Sequence, residues 1–109
     1  MTRFATAVLP LTVLLLAAGA QAGGEVVEVI IKKFEFRPAE LTIPAGTTVR
    51  WVNQEKRQYH SVWFQELGEP EPGYFFPEES YERTFDTPGT FPYLCGPHPR
   101  MRGVVIVTQ

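Results

Sequence analysis

The sequence predicts an all-β domain, an antiparallel Greek-key β-sandwich, on three observations. Its apolar residues fall in short alternating or near-continuous runs rich in Val, Ile, Phe and Trp. Gly and Pro turn signals separate those runs at the spacing of short strands. No stretch sustains a helical period, and there is no internal repeat or second domain boundary.

The elements follow in order. Val26 to Phe36 is one extended run, with Glu28, Lys32 and Lys33 on its polar side and Pro38 ending it. Leu41 to Ile43 is a short strand closed by the turn signal Pro44-Ala45-Gly46. From Thr47 to Asn53 the pattern alternates, with Val49 and Trp51 on one face and Arg50 on the other. Asn53 to Gln58 is polar and reads as a loop. Tyr59 to Gln65 reads as a further strand, His60, Val62 and Phe64 facing one way and Tyr59, Ser61 and Trp63 the other. Glu66 to Glu79 is an acidic loop broken by Pro70, Pro72, Gly73 and Pro77. Ser80 to Phe85 alternates again, Pro88-Gly89 makes a turn, and Thr90 to Cys95 and Gly103 to Thr108 complete the set. Pro92 cannot donate to a ladder, so its strand belongs at a sheet edge or carries a bulge.

The N-terminus reads as an export signal, residues 1–22, leaving a single domain at 23–109. Arg3 precedes an apolar stretch from Val8 to Ala18, and Ala20-Gln21-Ala22 offers the small–x–small pattern of a signal-peptidase site. The stretch is interrupted by Pro10 and is short of the ~20 residues that span a bilayer, so stable membrane insertion is not expected. Lys and Arg total 10 against 12 Asp and Glu, a net charge of −2, and losing Arg3 makes it one unit more negative. With no basic stripe, nucleic acid is not an expected partner. A domain this small buries a modest core and gains from a cross-link, yet a single Cys allows no internal disulfide. A metal is the natural substitute.

Cys95 is that only cysteine, and it opens the run Cys95-Gly96-Pro97-His98-Pro99-Arg100-Met101. A thiolate, an imidazole and a thioether therefore follow at intervals of three, and the second of the two histidines, His60, lies upstream. Two His, one Cys and a weak axial Met form the donor set of blue-copper electron-transfer sites. Cu(I) favours soft sulfur and Cu(II) accepts imidazole, so a rigid compromise between them lets an electron move with little rearrangement. Pro97 and Pro99 fix their own φ and bias Gly96 and His98 towards extended backbone, which shapes the loop before metal arrives. Taken singly, each residue has a plainer use: a buried Cys, a core Met, an exposed His98 or a satisfied core His60. Structural zinc is the competing metal, and it favours further Cys or His over Met.

These residues resemble the cupredoxins, the type 1 blue copper family. Within the plastocyanin, pseudoazurin and amicyanin group the chain is most amicyanin-like, because Met101 follows so soon in Cys95-x-x-His98-x-x-Met101. Phe34-x-Phe36-x-Pro38-x-x-Leu41, Gly46-x-x-Val49-x-Trp51-x-Asn53, His60-Ser61-Val62, Gly89-Thr90-Phe91 and Arg102-Gly103 carry the likeness across nearly all of residues 23–109. The resemblance implies one type 1 copper ion held by His60, Cys95 and His98 with Met101 axial. It also implies that His98 breaks the surface in an apolar patch as the electron port. The function implied is that of a soluble, monomeric periplasmic carrier. It would take electrons from a dehydrogenase such as an amine-oxidising quinoprotein, and pass them to a c-type cytochrome. The chain departs from the family at Tyr59 and Ser61, where Pro and Asn are common. That Asn helps lash the ligand loops, so Ser61 implies a looser surround. Arg100 replaces an apolar residue at the port, and Glu66, Glu69, Glu71, Glu78 and Glu79 read as a solvated loop rather than a docking patch.

Other classes fit less well. Copper-handling proteins offer Met- or His-rich sites, and this chain has two Met, one of them Met1. A copper enzyme needs a second site and further histidines, and none remain beyond His60 and His98. A Cys/His hydrolase is set aside because no orienting acid is identifiable near the loop.

Overall fold

In the computed structural model of the protein, residues 24–109 are described, and the export signal read at 1–22 lies outside them. Seven strands form two sheets: β1 Val26–Lys32, β2 Glu35–Arg37, β3 Glu40–Pro44, β4 Thr47–Asn53, β5 Ser80–Phe85, β6 Gly89–Leu94 and β7 Arg102–Thr108. One sheet has the order β2-β1-β4-β5 and the other β3-β7-β6. The all-β sandwich is therefore as expected. Both sheets are mixed, however, because β1 pairs with β4 and β3 with β7 in parallel. Alternation reveals which face of a strand is buried and not which way its neighbour runs.

Strand β4 is the clearest case of sequence setting structure. Its alternate residues Thr47, Val49, Trp51 and Asn53 are buried, and the intervening ones are partly exposed. Trp51, fully buried, is the hub of an aromatic core, with Phe64, Tyr81, Phe85 and Tyr93 around it at centroid distances of 5.3–6.4 Å. Its indole Nε1 donates to Tyr93 Oη at 3.0 Å, and burial pushes the Tyr93 phenol up to about 12. Gly103 sits against that Tyr93 ring so closely that a Cβ there would clash with the ring carbon and the hydroxyl oxygen. β6 is an edge strand, as Pro92 required.

Two segments differ from the sequence reading. The run Val26–Phe36 is a hairpin, not one strand, turning at Lys33 and Phe34 with φ of 53° and 59°. Tyr59–Gln65 is not a ladder strand: it makes single bridges, His60 to Phe75 and Trp63 to Leu94, before a 3₁₀ turn at Gln65–Leu67. Its alternation fails accordingly, since Ser61 is as deeply buried as His60 and Val62.

The acidic loop is pinned rather than merely solvated. Glu69 grips Arg83 through two hydrogen bonds of 2.8 and 2.6 Å, and its carbonyl accepts from Trp63 Nε1 at 2.8 Å. The Arg83 guanidinium in turn lies 4.5 Å over the Phe64 ring. Its hydrogen bonding holds the Glu69 carboxyl below its ordinary value, against an opposing effect of burial. A depressed carboxylate adds stability above its unfolded pKa, and this is lost as pH falls through the folded one. The pair is partly exposed, so its share is at most about 1 kcal/mol. Denaturant titrations of the metal-free protein between about pH 6 and 3 should show stability falling, with a shallower fall in Arg83→Met. Equal slopes would remove the pair from the account.

Candidate metal centre

Cys95, His98 and Met101 all lie in the loop that closes the β6–β7 hairpin, whose last pair is Leu94 with Arg102. Main-chain hydrogen bonds tie these three residues to one another. His98 N donates to Cys95 O at 3.2 Å, Met101 N to His98 O at 2.9 Å, and Cys95 N to Met101 O at 3.0 Å. The loop thus consists of tight consecutive turns carrying Pro97 and Pro99, more bent than the extended backbone expected of Gly96 and His98. His60 arrives from the segment between β4 and β5. Its backbone exchanges hydrogen bonds with Phe75 at 3.1 and 2.9 Å, and three residues on Trp63 does the same with Leu94 at 2.8 and 3.0 Å. That second bridge sets His60 beside Cys95.

The donors converge. One ligand atom each from His60, Cys95 and His98 lie within 4.8 Å of one another. Cys95 Sγ is 3.5 Å from His60 Nδ1 and 3.5 Å from His98 Nδ1. Atoms bonded to a common ion at roughly 2.0–2.3 Å each leave such a spacing at an open angle. His60 and Cys95 are fully buried, Met101 is buried beneath the loop, and His98 is partly exposed. Burial drives the Cys95 thiol up and, despite Glu55, the His60 imidazole down. Both shifts oppose charge on the metal-free side chains, so a cation that takes the thiolate relieves the strain of burying it.

The surround of this cluster was less legible. Glu55, in the loop read only as polar, accepts from His60 Nε2 at 3.0 Å through Oε2. The same carboxylate accepts Phe34 N–H at 2.7 Å and Lys33 N–H at 3.1 Å, and Glu55 N donates to Asn53 Oδ1 at 2.9 Å. These bonds lower its carboxyl, although burial works against them. Glu55 thereby fixes the tautomer of His60, leaving Nδ1 free to face the sulfur. An acid does orient a histidine here, contrary to the sequence reading. The site still does not favour a hydrolase, because the Cys95 sulfur that would have to attack is fully buried. A clue was present in sequence, since Glu55 is a carboxylate in a short loop five residues before a histidine.

Phe34 stands edge-on to both imidazoles, 5.0 Å from His98 and 5.7 Å from His60, and so braces them from the β1–β2 turn. Ser61 is more than a weak substitute for Asn. Its N–H points at Cys95 Sγ at 3.4 Å and its Oγ accepts Gly96 N–H at 2.9 Å, so the two ligand segments are lashed together after all.

Replacing Glu55 with Ala should lower copper affinity about 10–100-fold, because His60 loses its partner and two turn N–H groups lose their acceptor. Competition titration against a chelator reads this directly. An affinity unchanged within twofold would show that His60 is oriented without it.

The described residues contain no helix long and apolar enough to cross a membrane. Comparison with known proteins agrees with the geometry. Amicyanin from Paracoccus versutus is 38% identical over 94 residues, covering 83% of this chain and 70% of that protein. Plastocyanin from Scenedesmus fuscus is 38% identical over 84 residues, covering 66% of this chain and 85% of its own. Among solved structures, the reduced Cu(I) form at pH 4 of an amicyanin variant superposes with a TM-score of 0.70 at 37% identity, covering 76% of this chain and 82% of that one. The description of a cupredoxin-like domain matches residues 5–107, and the chain belongs to that family.

Proposed function

We propose that this protein is a one-electron carrier holding one type 1 copper ion through His60, Cys95 and His98, with Met101 as the weak axial donor. When bound, copper supplies the Cu(II)/Cu(I) couple. Everything else falls to the chain. Main-chain bonds at His60, Trp63, Cys95, His98 and Met101 hold the donors in place, and Glu55 and Phe34 fix the rings. Burial keeps water from the sulfur, while His98 alone among the three nearest donors reaches the surface. The single observation carrying this reading is that the donors already stand 3.5 Å from a buried sulfur. An immobile donor set is what fast electron exchange requires.

The amicyanin and plastocyanin relatives support the same reading. Export to the periplasm after cleavage at Ala22, transient redox partners such as a dehydrogenase and a c-type cytochrome, a monomeric state and the absence of catalysis by the chain alone complete it. The export reading rests on residues 1–22.

A copper-handling role is the second reading. Line broadening in NMR mixtures of oxidised and reduced protein separates the two. A carrier shows rapid electron self-exchange, and a storage protein exchanges slowly because its ligands must rearrange.

A further inference from the structure

The basic residues of this chain are not scattered. Arg37 pairs with Glu35, Arg50 with Glu82 and Glu28, and Arg83 with Glu69. The other basic side chains among the described residues are Lys32, Lys33, Lys56, Arg57, Arg100 and Arg102, all exposed and none in an ion pair. They gather about one feature, the turn bearing Phe34. Lys32, Lys33, Lys56 and Arg57 line a cleft on the Lys33 side of that turn. Phe34, His98 and Arg100 line a second cleft, and Phe34, Arg100 and Arg102 a third.

The two acids beside the Phe34 turn are already engaged. Glu55 is committed to His60, Lys33 N and Phe34 N, and Glu35 to Arg37. Glu78 shares a cleft with Lys56 and Glu66 one with Arg102, neither lined by Phe34. The centre of the surface is aromatic: Phe34, Tyr59, Tyr74 and Phe76 are each 39–52% exposed. Tyr59 stacks on Tyr74 at 5.1 Å and lies 6.2 Å from the His98 ring. On the Tyr74 side, Glu71 accepts from Tyr74 Oη at 3.1 Å and lies against Gly96, and the Glu79 carboxylate is held by Phe76 N–H at 2.7 Å.

We propose that this face is the docking surface for a redox protein whose own electron port is rimmed by carboxylates. An aromatic centre seals the contact around His98, and the unpaired cations on the Phe34 side meet the partner's acids. The protein's net charge of −2 would suggest the opposite partner. At physiological ionic strength, though, charges beyond ~8 Å are largely screened, so the rim of the port governs encounter and the net charge does not. The inference rests on the electron-carrier reading and extends it to the chemistry of the partner.

The test uses copper-loaded, reduced protein and one oxidant in two forms: a lysine-rich mitochondrial cytochrome c, and the same cytochrome with its lysines succinylated to carboxylates. Stopped-flow rates are measured across ionic strength. The succinylated form should react faster, and its rate should fall as salt rises, within the roughly 10–10³-fold range of electrostatic steering. Lys56→Glu with Arg57→Glu and Arg100→Glu should reverse the preference, and Glu71→Gln should raise the rate with the succinylated form. Lys56→Gln with Arg57→Gln serves if charge reversal impairs folding, and should flatten the salt dependence. The visible spectrum and midpoint potential of each variant report separately on the copper centre. If those are intact and the native cytochrome reacts as fast or faster, or the variants leave the salt dependence unchanged, the docking proposal fails and the carrier reading stands. Retention of the protein on phosphatidylglycerol vesicles, with no preference between cytochromes, would equally overturn it. If no reversible couple exists at all, the carrier reading fails first.

Discussion

Cys95→Ser is expected to abolish the intense visible absorption of the copper-loaded protein and to lower copper affinity by at least about tenfold, roughly 1.4 kcal/mol. The colour of such centres needs a thiolate, and Cys95 is the only sulfur anion the chain can form. Its Sγ is buried, 3.5 Å from each Nδ1, and receives the Ser61 N–H at 3.4 Å. A serine hydroxyl can still accept that N–H, so the metal-free fold should survive with a loss on the order of 1–3 kcal/mol. The substitution therefore separates the chemistry of the sulfur from its packing. Absorption spectra and chelator competition on the folded variant read the outcome, and a surviving band of comparable strength would remove Cys95 from the ligand set.

Trp51→Ala should have the largest effect on stability, about 3–5 kcal/mol. A small domain holds on the order of 5–15 kcal/mol in all, so this variant should be close to unfolding without metal. The indole is fully buried, four aromatic rings surround it, and its removal leaves Tyr93 Oη without its donor. Trp51→Phe keeps most of the ring and loses the hydrogen bond, so its cost should be nearer 1–3 kcal/mol. None of these four rings is a metal donor, so the folded fraction should keep its visible band. Urea titrations of metal-free and copper-loaded protein test this, and copper should recover part of the loss by binding only the folded state. A Trp51→Ala protein within 1 kcal/mol of the parent would mean the core is organised elsewhere.

The parts of the fold legible in the sequence are those where one face meets water. In β4 and β5 the alternation survives because each second residue is more exposed than its neighbours, and Pro92 on β6 marked its own edge. The β1–β2 turn was hidden because Lys33 and Phe34 are poor residues for left-handed backbone. That conformation is held by the Glu55 carboxylate, 21 and 22 residues away, which accepts both N–H groups. The Tyr59–Gln65 segment failed as a strand for a related reason. It is buried on both sides between Phe75 and Leu94, so its pattern reports burial and not a pleat.

The donor set was legible because the chain holds two His and one Cys, leaving few alternatives. Its supports were not. Glu55 stands only five residues before His60, but Phe34 and Ser61 act through contacts across 21 to 64 residues of sequence, and no spacing rule connects a turn phenylalanine to a histidine in another loop. Glu69 read as a solvated acid because its partner Arg83 lies fourteen residues on, in another strand.

Titrating Cu(II) into the metal-free protein while recording the visible spectrum reaches the centre of this account most directly. An intense band that grows linearly and stops at one copper per chain is the predicted result. A colourless complex, or a band still rising past one equivalent, would contradict it, since neither can come from a single buried sulfur shared with two imidazoles.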